Sequence, residues 1–221
     1  MFLGVDLGVV AENIQLYGKA ALLTVGIGVT GTVIALVVGA ACAFVQYFRV
    51  PVAGQLAAGY IELSRNTPLL VQLVFLYYGL PRLGIVLSGT QCAIIGLAFL
   101  GGSYMAESLR SGLEDVPAIQ RQSALALGLS TPQAFGRVLL PQAVATAMPG
   151  LTANVIFLIK ETSVVSVIAV PDLVYRANEQ IGNDYTTREA LVLLVGFYLL
   201  ILVPVALVGR WLEGRTRRVA A

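Results

Sequence analysis

The chain has 221 residues, 57% of them hydrophobic and 12% charged, with a mean hydropathy of +0.85 and a net charge of +2. A soluble domain of this size carries about 25% charged residues, so the composition is that of a multi-spanning membrane protein, and a charge so near neutral, with scattered basic residues, does not suggest a nucleic-acid partner. There is no histidine, and the two cysteines, Cys42 and Cys92, both lie in apolar stretches, which excludes most metal and nucleophile chemistry and marks them as buried small hydrophobes.

Residues 1–19 mix apolar residues with Asp6, Glu12 and Lys19 and read as an amphipathic lead-in at the membrane surface. Acidic residues stand where a secretory signal would be basic. From Ala20 to Phe48 there is no charge. Crossing the hydrocarbon takes about 20 residues, so this is a first span with some excess for tilt. Gly26, Gly28, Gly31 and Gly39 predict close helix packing, Tyr47 and Phe48 sit where interfacial aromatics belong, and Arg49 and Pro51 end the run.

Apolar character resumes from Val52 to Leu80 but is interrupted by Glu62, Arg65, Asn66, Thr67 and Pro68. Glu62 and Arg65 share a helix face and can pair. Pro68 either kinks one long helix or, with Thr67 as cap, starts a second segment. Residues 69–80 alone are too short to span, which favours a single kinked helix. Leu83–Ala106 is the third span, closing on Glu107 and Arg110 as a helix-end pair. Residues 111–137 form a polar loop with Glu114 and Asp115 before Pro117. Val138–Ile159 is uncharged, carries Pro141, Pro149 and Gly150, and is expected to start along the surface before entering the bilayer. Lys160-Glu161-Thr162-Ser163 then puts a charged pair inside an apolar stretch. A polar loop from Asp172 to Glu189 leads to the fifth span, Ala190–Val208, and a basic tail. The domain reading is a lead-in over 1–19, a transmembrane domain over 20–209 containing the loop 111–141, and a tail over 210–221.

The charges give an orientation. The side of the polar loop and tail holds Arg49, Arg110, Arg121, Arg137, Arg210, Arg215, Arg217 and Arg218, whereas the other side holds Lys19, Arg82, Arg176 and Arg188. The positive-inside rule puts the tail in the cytoplasm and, with five spans, the N-terminus outside.

The polar loop contains a short amphipathic helix. Ala124, Leu125, Leu127 and Leu129 can fill one side while Gln120, Arg121 and Gln122 stay wet; Gly128 ends it, and Ser130-Thr131-Pro132 opens another helix. The P-loop pattern GxxxxGK[ST] does not occur, and the glycines at 26, 28, 31 and 39 are never followed by lysine, so any ATP chemistry belongs to a separate protein. This loop resembles the EAA loop of the membrane subunits of bacterial ABC importers: Glu-Ala-Ala, three residues, Gly, nine residues, Ile, any residue, Leu-Pro. The pattern falls on Gln122-Ser123-Ala124, Gly128, Val138, Leu140 and Pro141 with every spacing kept; Gln122 stands at the acidic position, Ser123 at the second and Val138 at the Ile. Tyr60-Ile61-Glu62-Leu63, Arg65 to Leu73, Tyr77-Tyr78-Gly79-Leu80-Pro81, Tyr104 to Glu107, Pro141-Gln142-Ala143 and Leu158 to Ser163 are similar to blocks of the polar amino acid permeases, with Glu161 where an Asp is usual.

The resemblance implies an all-α integral membrane protein of about five transmembrane helices, with the type I ABC importer permease fold and a cytoplasmic coupling helix, in the bacterial inner membrane. It implies no catalytic residue, metal or cofactor in this chain. ATP would be held by a cytosolic ATPase docking near 116–132, with Gln122, Ser123, Ala124, Gly128 and Pro141 as coupling residues. The other partners would be a second permease copy or paralogue, an extracytoplasmic binding protein and the amino acid itself.

Ionisable groups inside a span are costly, which makes Glu62, Arg65, Asn154, Lys160, Glu161, Thr162 and Ser163 the candidates for a substrate path. Lys160 and Glu161 are adjacent and point about 100 degrees apart on a helix, so each needs another partner. Glu62, Arg65, Asn154 or a zwitterionic amino acid could supply one, and structural pairing between helices is the competing reading. Two other function classes are weaker. A secondary transporter would show an inverted repeat, and an intramembrane enzyme would need an acid pair or metal cluster.

Overall fold

The computed structural model describes residues 5–220, and the charge-free runs of the sequence become its long helices. Helix α1, Leu7–Tyr47, is unbroken over 41 residues. At 1.5 Å per residue that is about 60 Å, twice the hydrocarbon thickness of roughly 30 Å. From Leu7 the expected lead-in is therefore the start of α1, with no break at Ala20; residues 1–4 lie outside the described residues. The helix ends where Arg49 turns to a φ of 51° ahead of Pro51.

The second apolar run is a correction. It does not form one kinked helix but breaks into α2, Ala53–Arg65, and α3, Leu69–Val74. Proline has no N–H and forces its predecessor out of the helical region, and Pro68 itself is extended at φ −58°, ψ 143°. Beyond α3 the chain loosens into a π turn over Phe75–Gly79, tightens into a 3-10 turn over Leu80–Leu83 and stops at Gly84, whose φ is 83°.

Helix α4, Gly89–Glu114, starts later than the sequence run, because Ser88 and Gln91 cap it reciprocally: Ser88 N–H donates to Gln91 Oε1 at 2.9 Å and Gln91 N–H to Ser88 Oγ at 3.2 Å. Then come α5, Ala118–Ala126, and α6, Thr131–Ala134. A π turn over Phe135–Leu139 carries α6 straight into α7, Leu140–Glu161, which ends in a 3-10 turn over Thr162–Ile168. Residues 131–168 are thus one helical run that continues without a break through Pro141. Helix α8, Leu173–Asp184, and helix α9, Thr187–Ala220, complete the chain. Among the described residues, α1, α4, the run Thr131–Ile168 and Thr187–Thr216 are each long and apolar enough to cross a membrane, and Leu69–Leu83 is a shorter apolar stretch.

The chain divides into two compact units, residues 1–33, 67–98 and 156–205, and residues 34–66, 99–155 and 206–221. In the first, Tyr17, Ala20 and Ala21 of α1 pack with Leu173 and Ala177 of α8 and Leu193 of α9. The Tyr17 hydroxyl, buried in that cluster, donates to Gln180 Oε1 at 2.9 Å, so its polar tip is satisfied while its ring fills the core. Gly31 lies against Leu97 and Gly96 against Leu73. Cys92 is buried here, while Cys42, in the second unit, is half-buried; both are free thiols.

The first unit also contains a group that sequence reading passed over. Asp172 caps α8, its Oδ1 accepting from Tyr175 N–H at 2.8 Å, and is 0% exposed; its Oδ2 has no hydrogen-bond partner among the described residues. Burial pushes the carboxyl up to about 6, outweighing the backbone N–H groups that pull it down. The unfolded chain releases this proton near 3.8 and the folded protein near 6. The stabilisation is therefore complete below about 4 and is lost as pH rises through 6. At pH 8 the buried charge costs up to about 3 kcal/mol. Asp172→Asn keeps the Tyr175 acceptor and removes the charge, so melting of the purified protein should become flat between pH 5 and 8 and higher than wild type at pH 8. An unchanged slope in the variant would assign the pH dependence elsewhere.

In the second unit, α1 and α4 lie close together at Gly39, where an added Cβ would lie 2.5 Å from Met105 Cβ and 2.8 Å from the Ala106 nitrogen. The Tyr60 hydroxyl and Ser64 Oγ of α2 both donate to the Phe99 carbonyl of α4, at 2.6 and 2.9 Å. Gly112 of α4 faces Ala143 and Ala147 of α7, and Gly209 of α9 faces Thr152. Small residues let the backbones meet, which is how helices associate where lipid supplies no hydrophobic drive.

Candidate functional site

The polar loop folds around α5. Pro117 sets its start, and the helix closes in a Schellman motif: Gly128 N–H donates to Leu125 O at 3.0 Å and Leu129 N–H to Ala124 O at 3.2 Å. Gly128 has a φ of 83°, and a Cβ there would meet nothing within 4 Å. Its need for glycine is thus conformational, not a close approach within the chain. Ser130 then opens α6, and Gln133 reaches back to accept from Ser130 N–H at 2.9 Å.

The faces of α5 differ from the expectation. Only Ala124 is buried, whereas Leu125 is 39% and Leu127 84% exposed, so the leucines do not together fill an inner side. Ile119, Gln122, Ser123 and Leu127, at positions i, i+3, i+4 and i+8, instead form an exposed outer face of mixed apolar and hydrogen-bonding character. Behind the loop, Phe135 of the π turn packs against Phe44, Tyr47 and Phe48, with ring centroids 6.0, 5.6 and 5.0 Å away. A hollow of about 570 Å³ opens beside this aromatic cluster, lined also by Arg49, Glu114, Arg121 and Thr131. The cluster fixes the entry to α7 against the end of α1. Pro141 is exposed at the second position of α7.

Of the intramembrane candidates, Glu62, Arg65 and Asn154 belong to the second unit and Lys160 to Ser163 to the first. Arg65 does not pair with Glu62 as expected. It turns to Glu107 of α4, 3.7 Å away, and lies over the Tyr104 ring at 5.4 Å. Glu107 also binds Arg110, which holds Glu114 at 2.6 Å, so the expected helix-end pair is part of a larger network. Asn154 is a structural tie, donating to the Tyr104 carbonyl at 3.1 Å and Ser108 Oγ at 2.9 Å. Thr162 is buried, its hydroxyl donating to Ile159 O at 2.7 Å, and Ser163 is half-buried. Lys160 is exposed and Glu161 half-buried, and among the described residues neither forms an ion pair. Among the described residues no cluster of metal-ligating side chains occurs.

Sequence reasoning missed the aromatic cluster, the Arg65–Glu107 pair and the burial of Asp172. Asp172 carried a usable signal, an aspartate directly before an apolar helical pattern, which is where caps stand. The other two join residues far apart in sequence and left no local trace.

Long apolar helices joined by a wet, capped helix that offers an outer face are the layout of a multi-pass membrane protein. The chain belongs to the family described as binding-protein-dependent transport system inner membrane component, whose model matches residues 20–218. It is 32% identical to the "Probable amino-acid ABC transporter permease protein PatM" of Vibrio harveyi, over 98% of each chain, and 30% identical to the glutamine transport system permease protein GlnP of Escherichia coli strain K12, over 96% of this chain and 98% of that one. A chain from the crystal structure of an amino acid ABC transporter with histidines superposes with a TM-score of 0.88 at 27% identity, covering 96% of this chain and all of that one. A chain of the inward-facing MetNI methionine ABC transporter does so at 0.77 and 18% identity, covering 93% and 98%, a likeness of fold. The fold is that of the type I ABC importer permeases, and the chain is an inner-membrane permease subunit.

Proposed function

We propose that this permease carries a polar or charged amino acid inward, energised by a separate cytosolic ATPase that docks on the loop around residues 116–132. The observation that carries the reading is the outer face of α5, Ile119, Gln122, Ser123 and Leu127, held out by the Gly128 cap and left exposed among the described residues. The coupling residues are Gln122, Ser123, Ala124, Gly128 and Pro141, of which Ala124 anchors the helix inward. With Gln122 in place of a carboxylate, the contact is made by hydrogen bonding and apolar packing. A second copy or close paralogue completes the path and an extracytoplasmic binding protein delivers the solute. The loop and basic tail face the cytoplasm and the N-terminus lies outside, which the distribution of arginines supports. No cofactor resides in this chain, and ATP is bound by the partner. The amino acid substrate is supported by the names of the relatives and by Lys160 and Glu161, whose opposite charges match those of a zwitterion.

The test is uptake of labelled amino acids into vesicles holding the purified permease with its ATPase. Uptake should require the ATPase and internal ATP, and Glu161→Gln should lower it at least tenfold with the ATPase still bound. Uptake driven by an ion gradient without ATP would overturn the proposal, and full activity of Glu161→Gln would return that residue to a structural role.

A further inference from the structure

We infer that the last turns of α9 hold the phosphate of an anionic phospholipid headgroup. Arg210, Trp211, Gly214 and Arg215 line a surface hollow of about 430 Å³. Spacings of one, four and five residues put all four on one side of the helix, with the two arginines about 7.5 Å apart along the axis. Gly214 is the floor: a Cβ there would meet nothing within 4 Å, so an oxygen-rich group can settle against the backbone between the guanidinium groups. The Arg215 guanidinium lies 5.5 Å from the Trp211 ring centroid, which orders one wall of the hollow.

Three observations select a lipid over a soluble anion. Trp211 is 60% exposed, and an indole exposed at the end of a span sits by preference at headgroup level. Leu207 and Val208, one turn earlier, are 54% and 56% exposed and offer apolar surface along which acyl chains can lie. The most apolar stretch of α9 is only 6% buried, so the helix that carries the hollow turns outward along its length. Glu213 is the acidic residue nearby and is half-buried, while the sequence continues with Arg217 and Arg218, so the local charge is positive. Basic residues beside a span attract anionic lipid within a Debye length.

Trp211 is the chain's single tryptophan and therefore reports on its own site. The experiment places the full-length chain in bilayer nanodiscs of phosphatidylcholine and replaces a tenth of the lipid by phosphatidylglycerol or phosphatidylcholine brominated near the top of the acyl chain. Brominated phosphatidylglycerol should quench Trp211 with at least threefold higher relative association than brominated phosphatidylcholine. The preference should fall toward unity in the Arg210→Gln, Arg215→Gln double variant. It should weaken between low and high sodium chloride in the unaltered chain, a readout that stands even if the double variant fails to insert. It should survive 100 mM inorganic phosphate exchanged for sodium chloride at constant ionic strength. Equal quenching by the two lipids, or a preference that persists in an inserted double variant, would overturn the inference, and its abolition by inorganic phosphate at constant ionic strength would assign the hollow to a soluble anion instead. None of these readouts depends on the solute transported.

Discussion

Replacing Gly39 by alanine should destabilise the protein by about 3 kcal/mol, and replacing it by leucine should abolish accumulation of the folded chain in the membrane. An alanine Cβ at this position would stand 2.5 Å from Met105 Cβ, 2.8 Å from the Ala106 nitrogen and 3.0 Å from the Gly102 carbonyl. Two of these three neighbours are backbone atoms and cannot rotate away. Carbon atoms pack best at roughly 3.5–4.0 Å, so α1 and α4 would have to part by about 1 Å along the whole crossing, and the dispersion gained there would be forfeited. The control is Gly26, on the same helix, where an added Cβ meets nothing within 4 Å. There Gly→Ala should be neutral or stabilise by up to about 1 kcal/mol through helix propensity. Unfolding in mixed micelles, with size-exclusion profiles as a check on the folded fraction, measures both. Equal effects at the two positions would show that α1 and α4 do not meet at Gly39.

That contrast shows where sequence reading stops. Gly26, Gly28, Gly31 and Gly39 look alike in a charge-free run, and all four predict close packing. The structure keeps Gly31 and Gly39 tight, gives Gly28 an ordinary van der Waals neighbour and leaves Gly26 open, because which face of a long helix meets another depends on residues sixty or more positions away. The spans themselves were legible, since excluding charge from about 20 consecutive residues is a local property. Gly128 was legible for the same reason: a glycine after a helical pattern is a cap, and its φ of 83° bears that out. Pro68 was half legible. Both outcomes were visible, and the length of residues 69–80 argued for the wrong one, because a membrane protein can bury a helix too short to span. Arg65 followed neither local option. The i, i+3 rule offered Glu62, but Glu107 on α4 lies in reach only after α2 and α4 have met through Tyr60, Ser64 and Phe99. A salt bridge between neighbours on one exposed helix is worth a few tenths of a kcal/mol, so tertiary packing overrides it readily.

Ile119→Asp combined with Leu127→Asp should cut recovery of the ATPase with the purified permease at least tenfold while leaving the permease folded. The two halves of that outcome separate because of where the side chains stand. At 61% and 84% exposure they contribute little to the chain's own core, and substitutions at such positions cost within about 0.5 kcal/mol. In an interface, by contrast, a buried apolar anchor at its centre is worth about 2 kcal/mol or more, and a carboxylate in its place adds desolvation without a partner. Gly128→Val should act differently. The cap would have to hold a β-branched residue at a left-handed φ, at a cost of roughly 1–3 kcal/mol. The last turn of α5 would fray, and its outer face would lose the fixed position that the cap gives it. The ATPase would still bind, but hydrolysis would proceed without uptake, because a lever transmits motion only while it is stiff. Measuring ATP turnover and uptake together in the same vesicles distinguishes the two variants: loss of both activities for the double aspartate, and hydrolysis without transport for the valine. Normal coupling in Gly128→Val would show that the rigid connection runs through Phe135 and the π turn into α7, and not through the end of α5.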